Sequence, residues 1–280
     1  MAFEWCGMSL LKRTKFLLRR YRIFPKKRLG QNFMVEPSIF NDLAVYASLG
    51  SDDVVLDVGA GLGFLTRFLA EKCKLVLAVE TDSKLVQCLQ EQLKDARNVK
   101  IIKGDVLKVQ IPQFNKVVSI PPYHVSSQLL QWLFHKNFEC AVLIFQKEFT
   151  QRLAAPIGSE KYGWLTVVAY YYVETELLDE VPAWMFYPQP EVDSIIVRLK
   201  PKKPPPFSLK NEKMFWQLTR LLFTQRNRKV KNAAFSFVKG RFPKKLETNA
   251  KMLDHIPFSD RRVRELAPED FGALANALAN

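Results

Sequence analysis

The sequence lacks several features that would settle its class at once. Its 280 residues contain no run of about 18 apolar residues, so no membrane-spanning helix is expected. There are only four cysteines, Cys6, Cys73, Cys88 and Cys140, and none forms a CxxC pair. The three histidines, His124, His135 and His255, lie far apart. That spacing argues against the usual structural zinc arrangements, and no metal is expected. The cysteines read instead as buried or half-buried thiols of a reducing compartment, which points to the cytoplasm. There is no internal repeat. Met1–Met8 is too short for the apolar core of a signal peptide, and the basic residues follow it. Residues 9–28 are basic, as a mitochondrial presequence would be, but Ser9 is their only serine. They read as an integral basic helix.

What remains has an ordinary globular balance, 48% hydrophobic and 25% charged. The chain is long enough for two domains with a sizeable buried core. The net charge of +14 is unevenly spread. Residues 1–28 carry net +8, residues 29–198 net −5 and residues 199–280 net +11. A mildly acidic middle between two basic arms suggests a ligand-binding or catalytic core whose flanks meet a polyanion. Nucleic acid is the first candidate, since cations gain affinity by releasing phosphate counterions. An anionic membrane surface is the second.

Apolar spacing predicts helices over 9–22 and 36–48, the latter opened by Pro37-Ser38. Short continuous apolar runs then alternate with helical patterns. Strands are expected over 54–59, 75–80, 99–105, 116–120 and 140–146, and helices over 64–72, 83–94 (capped by Ser83) and 126–135. Residues 164–175 and 194–200 read as late strands. This is an α/β pattern with a mostly parallel sheet. The lysine–proline stretch from Pro201 to Pro206 is a stiff linker. Beyond it, 214–225, 228–240 and 266–279 read as helices. The expected organisation is a basic arm (1–28), a Rossmann-like sheet domain (29–200) and a small all-helical domain (207–280).

Four motifs carry chemistry. Asp57-Val58-Gly59-Ala60-Gly61-Leu62-Gly63 sits between a buried strand and a helix, where glycines let the backbone turn and approach a ligand. Its spacing is GxGxG, not the dinucleotide-binding GxGxxG, and no second glycine-rich signature supports an NAD enzyme. Glu80 ends the next strand, where a carboxylate can accept both hydroxyls of a ribose. Asp105 follows the third strand, placed to accept from an exocyclic adenine amine, with Val106 offering the ring an apolar face. Nothing here is built to hold a pyrophosphate. A nucleoside with a small polar tail fits better, and S-adenosylmethionine (SAM) is the candidate. Finally, Ser119-Ile120-Pro121-Pro122-Tyr123 follows the fourth strand. Its prolines fix carbonyls that can accept from a planar amine, and Tyr123 can stack on the base that carries it.

At these residues the chain resembles the ribosomal RNA adenine N6,N6-dimethyltransferases, the kasugamycin-resistance methyltransferase family, with an archaeal style at its N-terminus. Arg28-Leu29-Gly30-Gln31-Asn32-Phe33 is similar to the family's N-terminal signature, which folds over the cofactor. The stretches Gln146-Lys147-Glu148, Gly158-Ser159, Tyr162-Gly163, Phe186 to Ser194 and Phe223 to Lys229 resemble its later signatures in the same order. The resemblance implies SAM held by Gln31, Asn32, Met34, Gly59, Gly61, Glu80, Asp105, Val106 and Ile120. It also implies that small-subunit ribosomal RNA, in an immature subunit, is the partner, contacted by Arg226, Arg228 and Lys229. The enzyme would be a monomer.

One departure stands out. The family's fourth motif reads Asn-Leu-Pro-Tyr, and aligning Pro122 and Tyr123 puts Ile120 at the asparagine. An isoleucine side chain accepts no hydrogen bond. Either Ser119 or the Ile120 and Pro121 carbonyls face the target amine, with Tyr123 and Phe186 sandwiching the flipped base, or methyl transfer is lost and the protein is an RNA-binding assembly factor. Methylation of another RNA, such as large-subunit rRNA, is a further alternative. A mitochondrial transcription-factor relative would need a presequence the chain hardly shows.

Overall fold

The computed structural model describes residues 7–26, 30–241, 253 and 255–279. Arg28 and Leu29 of the N-terminal signature lie outside these residues, as does Cys6. Two compact units emerge, one of residues 1–150 with 176–201, the other of 151–175 with 202–280.

In the first unit, helix α1 (Leu10–Arg20) is opened by Ser9, whose hydroxyl accepts from the Lys12 N–H. Its apolar face buries Leu17 and Leu18 with Ile23, Phe33, Leu62, Leu85 and Cys88. The basic segment is therefore built into this unit's core. The short strand β1 (Phe33–Met34) and helix α2 (Ser38–Tyr46) follow. Then come β2 (Val54–Val58), α3 (Phe64–Ala70), β3 (Leu75–Glu80), α4 (Ser83–Gln92), β4 (Val99–Lys103), β5 (Lys116–Ser119), α5 (Ser126–Phe134) and β6 (Cys140–Gln146). Uniformly apolar runs become strands because helices cover both faces; Val55, Leu56, Val76 and Leu77 are fully buried. Asp82, not Ser83, caps α4, accepting from the N–H groups of Lys84 and Leu85. It lies one residue earlier in extended backbone, where its carboxylate reaches both donors.

Helix α6 (Lys147–Leu153) leads into the second unit, and there the sequence reading needs correction. Residues 164–172 are not a strand but helix α7 (Trp164–Tyr172). The Thr166 hydroxyl accepts from the Gly163 N–H and donates to the Arg152 carbonyl, fixing the helix start. Leu165 through Ala169 are all buried, so the run has no polar face and its period is unreadable. Only from Val173 is the chain extended, as β7 (Val173–Val181). β8 (Phe186–Tyr187) and β9 (Ser194–Pro201) return to the first unit. Helices α8 (Glu212–Phe223), α9 (Val230–Arg241) and α10 (Pro268–Leu278) belong to the second. There Tyr171, Phe207 and Phe215 pack as mutually contacting rings. A Cβ on Gly272 would lie 2.5 Å from Phe207, so α10 needs glycine at that approach.

The seven-stranded sheet runs β4-β3-β2-β5-β6-β9-β7. Pairs β2/β3, β3/β4, β2/β5 and β5/β6 are parallel, and β6/β9 is antiparallel. Chain order reverses between β2 and β5, so the crevice beyond their carboxyl ends is the expected ligand position. A separate antiparallel pair, β1 with β8, matches Phe33 to Tyr187 and Met34 to Phe186. The linear division into 29–200 and 207–280 thus cuts the chain differently from its compact units, which place 151–175 with the C-terminal helices.

Candidate active site

Three loops meet at the switch point. The first follows β2. Gly59 there has φ +76°, and a Cβ on it would lie 2.6 Å from Pro122 Cδ. The glycine is required because the loop after β5 presses against it. The second follows β3. Glu80, 6% exposed, holds both loops: one carboxylate oxygen accepts from the Gly61 N–H at 3.0 Å, the other from the Thr81 and Asp82 N–H groups at 2.7 and 2.9 Å. The Thr81 hydroxyl also reaches that second oxygen at 3.4 Å, so the open acceptor site is on the oxygen facing Gly61. The carboxylate can therefore take one hydroxyl fully, not the two expected from sequence.

The third loop is Ile120 to Tyr123. Gly30, φ +58°, lies against its backbone, where an added Cβ would be 3.1 Å from the Tyr123 nitrogen. The segment from Gly30 to Met34, tied to the late loop by β1/β8 and by Val35 N–H donating to the Met185 carbonyl, walls the crevice on that side. A cavity of about 200 Å³ results, lined by Gly30, Gln31, Asn32, Gly59, Gly61, Glu80, Ile120, Pro121, Pro122, Tyr123 and Phe186, with Phe33, Thr81, Leu85 and His124. Beside it a smaller space of about 50 Å³ is lined by Asn32, Met34, Phe40, Asp57, Gly59 and Ile120 among others.

Asp105 and Val106 line neither space. Asp105 accepts from the Leu107 N–H at 3.0 Å and pairs with Lys108 at 3.7 Å, closing the turn after β4, and Val106 is 5% exposed.

Two further expectations are corrected. Ser119 is fully buried; its hydroxyl donates to the Val58 carbonyl at 2.7 Å and accepts from the Val58 N–H at 3.0 Å. It stitches β5 to β2 where their ladder has ended and does not face a substrate amine. The Ile120 and Pro121 carbonyls accept no hydrogen bond from the described residues. Tyr123 and Phe186 do not form a sandwich either: their rings meet edge to face, centroids 6.3 Å apart and planes at 69°. No base fits between rings in that contact, so stacking falls to one face of one ring. The Tyr123 hydroxyl is 2.7 Å from that of the fully buried Ser194. Burial pushes its pKa up to about 12, so it remains a neutral phenol.

Asp57, in the glycine-rich motif, carries no role of its own in the sequence analysis. It is 1% exposed and accepts from the Thr66 hydroxyl at 2.7 Å. Burial raises its pKa to about 7, with a smaller contribution from the nearby Glu80 charge. A lone carboxylate inside an otherwise apolar strand was the available signal.

In the second unit, the three basic residues separate. The Arg226 guanidinium donates to the Ser159 and Glu160 carbonyls, and Lys229 pairs with Asp260 at 3.0 Å. Arg228 alone is exposed with no side-chain partner among the described residues. The reading of all three as free phosphate contacts is corrected to that extent.

Comparison with known proteins adds the following. Residues 24–271 match the ribosomal RNA adenine dimethylase family. The chain is 36% identical over 267 residues to a probable ribosomal RNA small subunit methyltransferase A of Methanosarcina acetivorans, covering 95% of this chain and 97% of that one. A dimethyladenosine transferase from Plasmodium falciparum shares its fold with a TM-score of 0.75 at 26% identity, over 86% of this chain and 95% of that one. The 23S rRNA methyltransferase ErmE does so with a TM-score of 0.65 at 26% identity, over 89% and 100%.

Proposed function

The chain belongs to the ribosomal RNA adenine dimethylase family, and from that premise we propose that it methylates the N6 amine of two adjacent adenosines in a loop near the 3′ end of small-subunit rRNA. The substrate is the immature small subunit, and the enzyme works as a cytoplasmic monomer. The observation that carries this reading is the convergence of Gly59, Gly61 and Glu80 with the Ile120–Tyr123 loop on one cavity at the sheet's switch point.

The residues present fit SAM. Glu80 keeps an acceptor site open for a ribose hydroxyl, and the Gly59 cradle admits no side chain. Asn32, Met34 and Ile120 would line the cofactor's polar end, and Gln31 the outer wall. Asp105 and Val106, one strand further along the sheet, would meet the adenine only at its edge. When bound, SAM supplies an electrophilic methyl group on a sulfonium.

The chain's own part is positioning. An adenine N6 lone pair is delocalised into the ring and is a poor nucleophile. The free carbonyls of Ile120 and Pro121 would accept the two amine hydrogens, which localises that lone pair. Pro121 and Pro122 fix these carbonyls, so little reorganisation accompanies reaction. Tyr123, neutral and anchored on Ser194, offers a ring face to the flipped base, and Phe186 buttresses it from the edge. Extrusion costs least for unpaired adenines, which favours a loop target. Arg228 and the basic face of α1 would hold phosphates.

Ile120 favours one competing reading, an RNA-binding assembly factor that has lost methyl transfer. Radiolabelled SAM separates the two. The enzyme reading expects label in small-subunit RNA and none in large-subunit RNA. Stoichiometric SAM binding without label in either RNA supports the factor.

A further inference from the structure

Phe24 is 79% exposed, the most exposed large apolar side chain reported among the described residues. A single exposed apolar residue means little by itself. This one is held out by structure. Helix α1 ends with Arg22 in the left-handed region at φ +49°, the Arg22 N–H donating to Arg19 and the Ile23 N–H to Leu18. That closure drives Ile23 into the core at 5% exposure and turns the next side chain outward. Three contacts then pin the segment: Lys84 Nζ donates to the Arg22 carbonyl at 2.7 Å, Lys26 Nζ pairs with Asp82 at 3.7 Å, and the Lys26 N–H donates to Gln31 Oε1 at 2.9 Å. Gln31 lines the cavity described above, so Lys26, two residues beyond the ring, is hydrogen-bonded to the cavity wall.

Its surroundings are cationic. Lys12, Lys15 and Arg19 recur at helical spacing on the exposed side of α1, and Arg22 and Lys26 flank Phe24. Lys15 Nζ lies 5.1 Å from the ring centre of Tyr187, the neighbour of Phe186 on β8. Lys15 thus reaches β8, whose Phe186 lines the cavity. Leu11 and Phe16 on α1 are exposed too, at 36% and 43%, each next to a lysine, and aromatics interleaved with lysines and arginines are the pattern of a single-stranded nucleic acid groove.

We propose that Phe24 is a stacking platform for an unpaired base flanking the target adenosine, with Lys12, Lys15 and Arg19 holding the adjoining phosphates. This rests on the RNA-methylating reading above and names a recognition residue for it. A platform beside the cavity would keep the neighbouring nucleotide fixed while the target is extruded.

The test uses the full chain with saturating SAM and a short adenosine-rich single-stranded RNA carrying 2-aminopurine. The natural protein should quench the probe on binding. Phe24→Leu should abolish the quench and weaken RNA binding by about 5- to 150-fold, while Phe24→Trp retains both. SAM affinity should stay level in all three, which reports an intact fold. Natural quench and affinity in Phe24→Leu overturn the proposal. So does a Phe24→Leu defect seen with whole small subunits but not with free RNA, since that marks a protein contact. Failure of the underlying function is read separately: natural protein that quenches the probe but labels no RNA keeps the platform and loses the methyltransferase.

Discussion

Glu80→Gln probes the cofactor site most sharply, because the structure gives that carboxylate two duties. Alanine would remove both together. Glutamine keeps one oxygen, which can still serve the paired N–H groups of Thr81 and Asp82. Its amide nitrogen then faces the Gly61 N–H, donor against donor, and no longer accepts from a ribose hydroxyl. A hydrogen bond to a charged acceptor is worth about 1.5–3 kcal/mol, so losing the hydroxyl contact should weaken SAM binding by about 10- to 150-fold. Loosening of the Gly61 loop would instead weaken every ligand alike. Calorimetric titration with SAM and with analogues lacking one ribose hydroxyl separates the two effects. In the natural protein, deleting the contacted hydroxyl should cost about as much as the substitution does. In Glu80→Gln the same deletion should cost almost nothing further, because the two changes remove one bond. If the penalties simply add, Glu80 does not touch the ribose and the assignment is wrong.

Asp57 makes stability depend on pH. Its pKa rises from the ordinary 3.8 to about 7 on folding, so the folded chain binds more protons between those values and stability falls as pH rises across that window. Asp57→Asn should flatten that slope, by at most about 4 kcal/mol, giving a melting-temperature gain that is larger at pH 8 than at pH 5; an equal gain at both would refute the assignment. Ser119→Ala should cost about 1–3 kcal/mol of stability by orphaning the Val58 groups, and its effect on rate should be the same with isoleucine or asparagine at position 120. A rate loss confined to the isoleucine background would restore Ser119 as the amine acceptor. Arg228→Ala should weaken RNA binding and reduce the salt slope by about 1 with no change in melting temperature. Arg226→Ala should lower the melting temperature through the freed Ser159 and Glu160 carbonyls.

The sheet was legible because its parallel strands are short, wholly apolar and separated by helices with visible periodicity. Residues 75–80 and 140–146 begin and end where the pattern does. Where apolar content is equally continuous but the element is a helix, as over 164–172, burial on all sides erases the period that separates helix from strand. β1 and β8 have two residues each and form only because distant segments meet, so no local signal marks them. The site divides in the same way. Glycines at forced backbone positions and an acid at a strand end are local features, and Gly59, Gly61 and Glu80 do meet at the cavity. Whether a polar side chain is already engaged is not local. Ser119 is consumed by Val58 and Arg226 by two carbonyls, and each partner becomes visible only in three dimensions.

The central claim is that this chain transfers methyl groups to adenosine although Ile120 stands where the family carries asparagine. Small subunits lacking the modification, incubated with SAM and the natural protein, test it directly when their RNA is digested and its nucleosides are resolved by mass. Free carbonyls at Ile120 and Pro121 predict N6,N6-dimethyladenosine at two adjacent positions near the 3′ end, with Ile120→Asn forming it at an equal or higher rate. No methylated adenosine from the natural protein, under conditions where SAM is bound and Ile120→Asn does produce it, would contradict the account.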